Sequence, residues 1–252
     1  MYHTTGFDRD EIIELTARVE ETAAEQGQRI GYPPSLGLFT CVCVALVYLR
    51  RNYRQVELAQ WYDTSQSTIS RAIGAVTGWL ETALREHVPV AEDLPADEQL
   101  LLDGTLVPCW SWHDRKDLYS GKHKTTGINL QVAADLSGRL RWVSDPVPGS
   151  RHDARAVHDS GVLAGGGDWI GDKGYIGKGM LTPIRKPPGR ELLDWEKQFN
   201  ATVNTVRAAV ERAIANLKTW RILHTDYRRP IGTFEATIAA VVALEFFRTQ
   251  AE

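Results

Sequence analysis

The run Val88-Pro-Val-Ala-Glu-Asp-Leu-Pro-Ala-Asp97 carries two prolines, three acidic residues and no hydrophobic period, and the pattern on either side of it differs. Proline fixes φ and withdraws a backbone donor, so such a run resists helix and strand alike and reads as a boundary. Before it, apolar residues recur at helical spacing, as Ile12, Ile13, Leu15, Val19 and Ala23 do within 8–26. Helices are likewise expected over 35–51, 54–62 and 65–86, the first of these buried and ending in Arg50-Arg51. After the boundary the period shortens to two. The chain therefore divides into a helical domain over 1–90, a linker over 91–97 and a second domain over 98–252.

The second domain begins with an apolar strand over 100–102 that runs into Asp103-Gly104. Ile128, Leu130, Val132 and Ala134 alternate as a strand, Asp135-Leu-Ser-Gly138 is a turn, and 140–147 return as the hairpin partner. A helix is expected over 152–163 and a short strand from Trp169 to Asp172, with another near 181–185. Two helices, over 200–219 and 233–249, complete the chain, the last of them a core helix. A hairpin, a crossover helix and a further strand make a mixed sheet with helices packed on it. Ribonuclease H-like domains have this order, so the fold class is α/β with an all-α domain in front.

At 252 residues, with 43% hydrophobic and 24% charged residues, the chain can bury a core, which excludes disordered and collagen-like classes. Its three cysteines cannot build a disulfide framework, so a reduced, cytoplasmic setting is expected. The longest apolar run, 36–49, is too short to cross a bilayer, and the N-terminus lacks a signal-peptide layout. No membrane partner is expected. A net charge of -3 means that any nucleic-acid footprint is local.

Residues 54–73 have the spacing of a helix-turn-helix. Leu58, Ala59 and Tyr62 give the first helix an apolar face, and Ile69 and Ile73 face it from the second. Asp63 holds the turn position usually occupied by Gly, and Asp tolerates a left-handed backbone better than most residues. Thr64 or Ser65 can cap the second helix. Gln66, Ser67, Ser70 and Arg71 are then left exposed, and short polar groups with an Arg suit base edges and phosphates in a major groove. An ordinary capped hairpin with a solvated polar face is the alternative.

Three carboxylates fall on three elements. Asp103 ends one strand, Asp172 ends another within Gly171-Asp-Lys-Gly-Tyr175, and Glu211 lies on the helix over 200–219. Arg207 and Lys218 share a neighbouring face with Glu211. Strand ends cluster at one sheet edge, and a helix packed there can bring in the third acid. Converging carboxylates repel unless hard cations neutralise them, and Mg²⁺ or Mn²⁺ prefer such oxygen ligands. Asp153 competes for the second position, but as the first acid of the expected helix it has a structural role as cap or first-turn charge.

These pieces, Asp103-Gly-Thr, Gly149-Ser-Arg-His-Asp153, Gly171-Asp-Lys-Gly-Tyr175 and Arg207-x3-Glu211-x6-Lys218, resemble DDE-type insertion-sequence transposases whose catalytic domain is similar to PIF/Harbinger elements. Bacterial members commonly have Tyr three residues before that Arg, where this chain has Asn204. The resemblance implies metal-dependent nicking of double-stranded DNA at terminal inverted repeats, then attack of the freed 3′-hydroxyl on target DNA. It implies two Mg²⁺ or Mn²⁺ ions on Asp103, Asp172 and Glu211, with Asp153, Arg207 and Lys218 in support. It also implies assembly as a homo-oligomer on DNA and a nucleoid-associated location. A DNA-binding regulator without catalysis, and a nuclease without strand transfer, are the alternatives.

Two further features bear on DNA. Residues 207–229 hold six basic residues against Glu211 and Asp226, which reads as a backbone-binding stripe. His113 and His123, with Lys116, Lys122 and Lys124, lie in a polar loop flanked by Trp110 and Trp112, either solvated or in contact with phosphate.

Overall fold

A computed structural model describes residues 2–110 and 115–250, apart from the side chain of Gln250. It falls into two compact units, 1–88 with 217–252, and 89–216. The first is helical. Helix α1 covers Tyr2–Thr5, α2 Arg9–Glu25, α3 Leu38–Arg51, α4 Gln55–Trp61 and α5 Gln66–Ala83. Asp8 and Glu11 close a reciprocal capping box at the start of α2, which fixes where that helix begins. Helix α3 is buried from Cys41 through Leu49, as its unbroken apolar run requires, and α5 packs on it.

The expected domain boundaries need correcting at two places. The segment 91–97 is not a free linker, since 91–93 form a 3₁₀ turn and Ala91 and Leu94 pack on the core of the second unit. Residues 217–252 do not belong with the sheet. Their apolar side chains, Trp220, Ile222 and Leu223 together with those of the last helix, are buried in the first unit, where that helix lies on α5. The last helix is therefore core, as expected, but in the other unit.

The second unit is a mixed sheet. Strand β1 covers Gln99–Pro108, β2 Tyr119–Ser120, β3 Thr125–Asp135, β4 Leu140–Val143, β5 Val147–Pro148 and β6 Asp168–Ile170. Helix α6 covers Asp153–Ser160 and α7 Asp194–Leu217; α8, Phe234–Gln250, is the last helix of the first unit. The order is β2-β3-β1-β6, with β4 and β5 also on β3. β1 pairs antiparallel with β3 and parallel with β6, the mixed arrangement that the hairpin and crossover predict. Leu100, Leu102, Trp142, Val157 and Trp169 form the core on one face.

Two strand expectations change. β1 does not stop at Asp103 but continues to Pro108, because β3 is long enough to pair with it throughout. Over 181–185 there is one isolated parallel bridge, Ile170 with Leu181, and no strand. Pro183 supplies no N–H for a ladder there.

Helix α7 is anchored by the buried Glu196, which takes both terminal nitrogens of Arg190 at 2.8 Å and the Leu193 amide at 2.7 Å. The Arg190 hydrogen bonds, then the Leu193 amide, pull its pKa from 4.5 to about 2. A carboxyl depressed in the folded state stabilises fully above its unfolded pKa and loses that contribution as pH falls through the folded one. Urea midpoints should therefore drop between pH 4.5 and 2 more steeply in the wild type than in Glu196→Gln; parallel curves would remove Glu196 as an anchor.

Candidate active site

Asp103 sits within β1 opposite Val132, so the sheet itself fixes its backbone. The last β1–β6 pair is Leu101 with Ile170, and Asp103 and Asp172 each follow two residues later. The two-residue period of a strand puts both on the same face at the same edge. Asp172 caps a 3₁₀ turn, its Oδ1 accepting from the Gly174 amide at 2.7 Å. These two carboxylates are brought together as the sequence predicts.

Arg207 reaches Asp103 from α7, its Nη2 donating to Oδ2 at 2.8 Å, with only 12% and 17% of the two side chains exposed. The Gly104 amide donates to Asp103 Oδ1 at 2.8 Å. Burial raises the pKa of Asp103 and outweighs Arg207 and the Gly104 amide, while the Asp172 carboxylate adds to the rise. Arg207 Nε is buried without a hydrogen-bond partner among the described residues.

Asp153 belongs to the same cluster. It is the first residue of α6 and the acid of its first turn, as expected, but the N-cap position is His152, so of the two expected roles capping is not what its side chain does. Its carboxylate accepts from Lys122 Nζ and from Asn129 Nδ2, both at 2.7 Å. Burial would raise its pKa, but the hydrogen bonds from Lys122 and Asn129 prevail and hold it below the usual carboxylate range. Lys122 is held protonated: burial would lower its pKa, and Asp153, Asp172 and Asp103 together more than reverse that.

Gly104 lets Asp153 in. A Cβ there would lie 2.7 Å from Asp153 Oδ1 and 3.1 Å from Gln131 Nε2. Gln131 is fully buried and accepts from the Tyr175 hydroxyl at 2.7 Å, while its Nε2 faces Asp153 without closing a hydrogen bond. Burial, reinforced by the three aspartates, pushes Tyr175 far above its ordinary pKa, so it keeps its proton and donates. Asn129 and Gln131 escape sequence reasoning, their signal being two polar residues at strand period inside an apolar strand; Tyr175 belongs to the Gly171-Asp-Lys-Gly-Tyr175 motif, but its bond to Gln131 is not readable from it.

Glu211 stands apart. It is exposed, one turn beyond Arg207, and among the described residues no three acidic, His or Cys side chains gather as a metal-holding group. Lys218 lies past the end of α7 in the first unit, half-buried, its pKa lowered by burial. The basic stripe is divided between the units: Arg207 and Arg212 belong to the sheet unit, and the residues from Lys218 to Arg229 to the helical one. Trp112 and His113 of the polar loop lie outside the described residues.

In the first unit the helix-turn-helix geometry follows the sequence. Asp63 takes φ +46° at the turn, and Ser65 caps α5 by accepting from the Thr68 amide. Ile69 and Ile73 are buried, Gln66, Ser67 and Arg71 are exposed, and Ser70 is half-buried.

Residues 102–245 match the family model of the DDE superfamily endonucleases. The chain belongs to this family. Residues 34–86 match the helix-turn-helix of DDE superfamily endonucleases. A putative transposase for insertion sequence element IS112 of Streptomyces albus G is 34% identical over 214 residues, covering 83% of this chain and 80% of that protein. A probable transposase for insertion sequence element IS702 of Microchaete diplosiphon is 25% identical over 248 residues, covering 93% and 88%. No solved structure matches the chain at a significant level. No helix among the described residues is long and apolar enough to cross a membrane.

DDE superfamily endonucleases use divalent metal ions. The donor set fits a hard cation: Asp103 and Asp172 offer oxygen ligands of like charge at one edge, and a cation would offset both the burial that chiefly raises Asp103 and the smaller push from Asp172.

Proposed function

We propose that this DDE endonuclease is a transposase that binds the ends of its element through the helix-turn-helix, nicks them, and joins the freed 3′-hydroxyl to target DNA. The joint presence of the endonuclease match and the Asp103–Asp172 pair carries this reading. In it, Asp103 and Asp172 hold Mg²⁺ or Mn²⁺, two ions in all, with Glu211 as the third carboxylate. Bound there, such ions supply Lewis acidity and charge neutralisation at the scissile phosphate.

The remaining roles fall to the chain's own side chains. Arg207 orients Asp103 through Oδ2. Asp153 holds the Lys122 ammonium beside both metal-binding carboxylates, where it can meet a second phosphate oxygen. Asn129 keeps Asp153 in place, and Tyr175 fixes Gln131 beside it. Gln66, Ser67, Ser70 and Arg71 contact the duplex. The copies of the chain that act on the two ends assemble on the DNA.

Pre-cleaved element ends with an exposed 3′-hydroxyl, incubated with target plasmid and Mg²⁺, should yield joined products. Hydrolysis without joining would mark a nuclease instead, and DNA binding without either reaction a regulator.

A further inference from the structure

Side chains from three separate stretches of the first unit meet around one crevice of about 440 Å³. Arg54 precedes α4, Gln66 and Ser70 lie on the first turns of α5, and Arg228 and Arg229 come from the segment before α8. Arg229 runs along α5: a Cβ on Gly74 would lie 3.2 Å from its Nη2, and Gln66, Ser70 and Gly74 follow at intervals of four along one helix face. Arg228 is anchored, its Nη2 donating to the Asn52 carbonyl at 2.6 Å and to Asn52 Oδ1 at 3.2 Å. Among the described residues no carboxylate forms an ion pair with the guanidinium of Arg54, Arg228 or Arg229; Glu57 Oε2 accepts instead from the Arg54 backbone amide at 3.1 Å and does not line the crevice. Tyr48 also lines the crevice. Burial pushes its pKa up to about 12, against the pull of Arg229, so its hydroxyl keeps its proton.

Cations gathered with neutral donors and without a carboxylate have the chemistry of an anion site, and guanidinium suits phosphate oxygens in particular. Beside the helix whose exposed side chains face the duplex, the anion within reach is its backbone. We infer that this crevice seats a phosphodiester of bound duplex DNA, with Arg229 and Arg54 fixing the position of α5 in the groove. The inference rests on the DNA-binding reading of the helix-turn-helix. It makes residues 217–252, remote in sequence from that motif, part of the DNA-binding unit.

The test uses the full-length protein and a random-sequence duplex, with affinity read by fluorescence anisotropy over a salt series. Arg229→Gln is expected to weaken binding roughly tenfold and to reduce the log-affinity against log-salt slope by about 0.9. Arg54→Ala should do likewise, and Arg229→Lys should keep the slope. Gln retains volume and donors, so the comparison with Lys isolates charge from packing. Unchanged affinity and slope in both Arg229→Gln and Arg54→Ala, while Arg71→Ala weakens binding, would overturn the crevice alone. No duplex binding by the wild type, or none of these variants altering it, would overturn the DNA-binding reading and the crevice with it. Inorganic phosphate that binds the wild type and not Arg229→Gln, with duplex affinity unchanged, would give the crevice to a small free anion and overturn the inference too.

Discussion

Asp172→Asn is expected to abolish Mg²⁺-dependent nicking and strand transfer while leaving DNA binding intact or slightly tighter. The change keeps shape and hydrogen-bonding capacity but removes the charge that holds a hard cation. Metal activation is worth several kcal/mol at the transition state, and each 1.4 kcal/mol is about a factor of ten, so a loss of roughly a thousandfold or more should appear in nicking rates. Less negative charge facing DNA does not weaken binding. Asp103→Asn should match it, and combining the two should add little, because residues serving one site act as a unit. Asp103→Asn also tests the Arg207 contact, since an amide accepts that hydrogen bond without a charge to pair with it. Rapid nicking by Asp172→Asn would contradict the assignment.

Gly104→Ala should produce the second large effect. Its Cβ would lie 2.7 Å from Asp153 Oδ1 and 2.9 Å from Cγ, against atoms that are not free to withdraw. Asp153 is tied to Lys122 and Asn129, and Gln131 to Tyr175, so relief in either direction breaks a hydrogen bond in a buried network. Overpacking of this kind costs about 1–3 kcal/mol. A lower urea midpoint together with slower nicking is expected, whereas duplex binding by the helical unit should persist. Wild-type values for both would mean that Asp153 can leave Gly104 at no cost, and that the cluster is looser than its hydrogen bonds imply.

Much of this was legible in the chain because local patterns carried it. The helix-turn-helix was readable from Leu58, Ala59, Ile69 and Ile73, and even the left-handed turn at Asp63 could be inferred from what aspartate tolerates. The pairing of Asp103 with Asp172 followed from strand order, which placed both at one edge. What was hidden was non-local. Asp103-Gly104 resembles a turn, and only the length of β3 reveals that the strand continues. Gly104 is needed for the approach of Asp153, a residue far along the chain whose first-turn position suggested a cap instead.

Domain membership failed for the same reason. Periodicity identifies α8 as a buried helix but not the surface that buries it, so nothing in the sequence of 217–252 shows that α8 packs on α5. The basic run over 207–229 then divides between the units, and Arg207 is occupied by Asp103. Glu211 fits the family's spacing yet stands on an exposed turn of α7, because spacing fixes its place on the helix and not its neighbours.

In the proposed site Asp103 and Asp172 hold the metal while Asp153 positions the residues around them. Mn²⁺ binding, followed by electron paramagnetic resonance with the wild type and the three single Asp→Asn variants, tests it most directly. The account predicts that Asp103→Asn and Asp172→Asn lose the bound-metal signal at concentrations where the wild type is saturated, and that Asp153→Asn retains it. Retention by Asp172→Asn with loss in Asp153→Asn would contradict the account and move the second metal ligand to position 153.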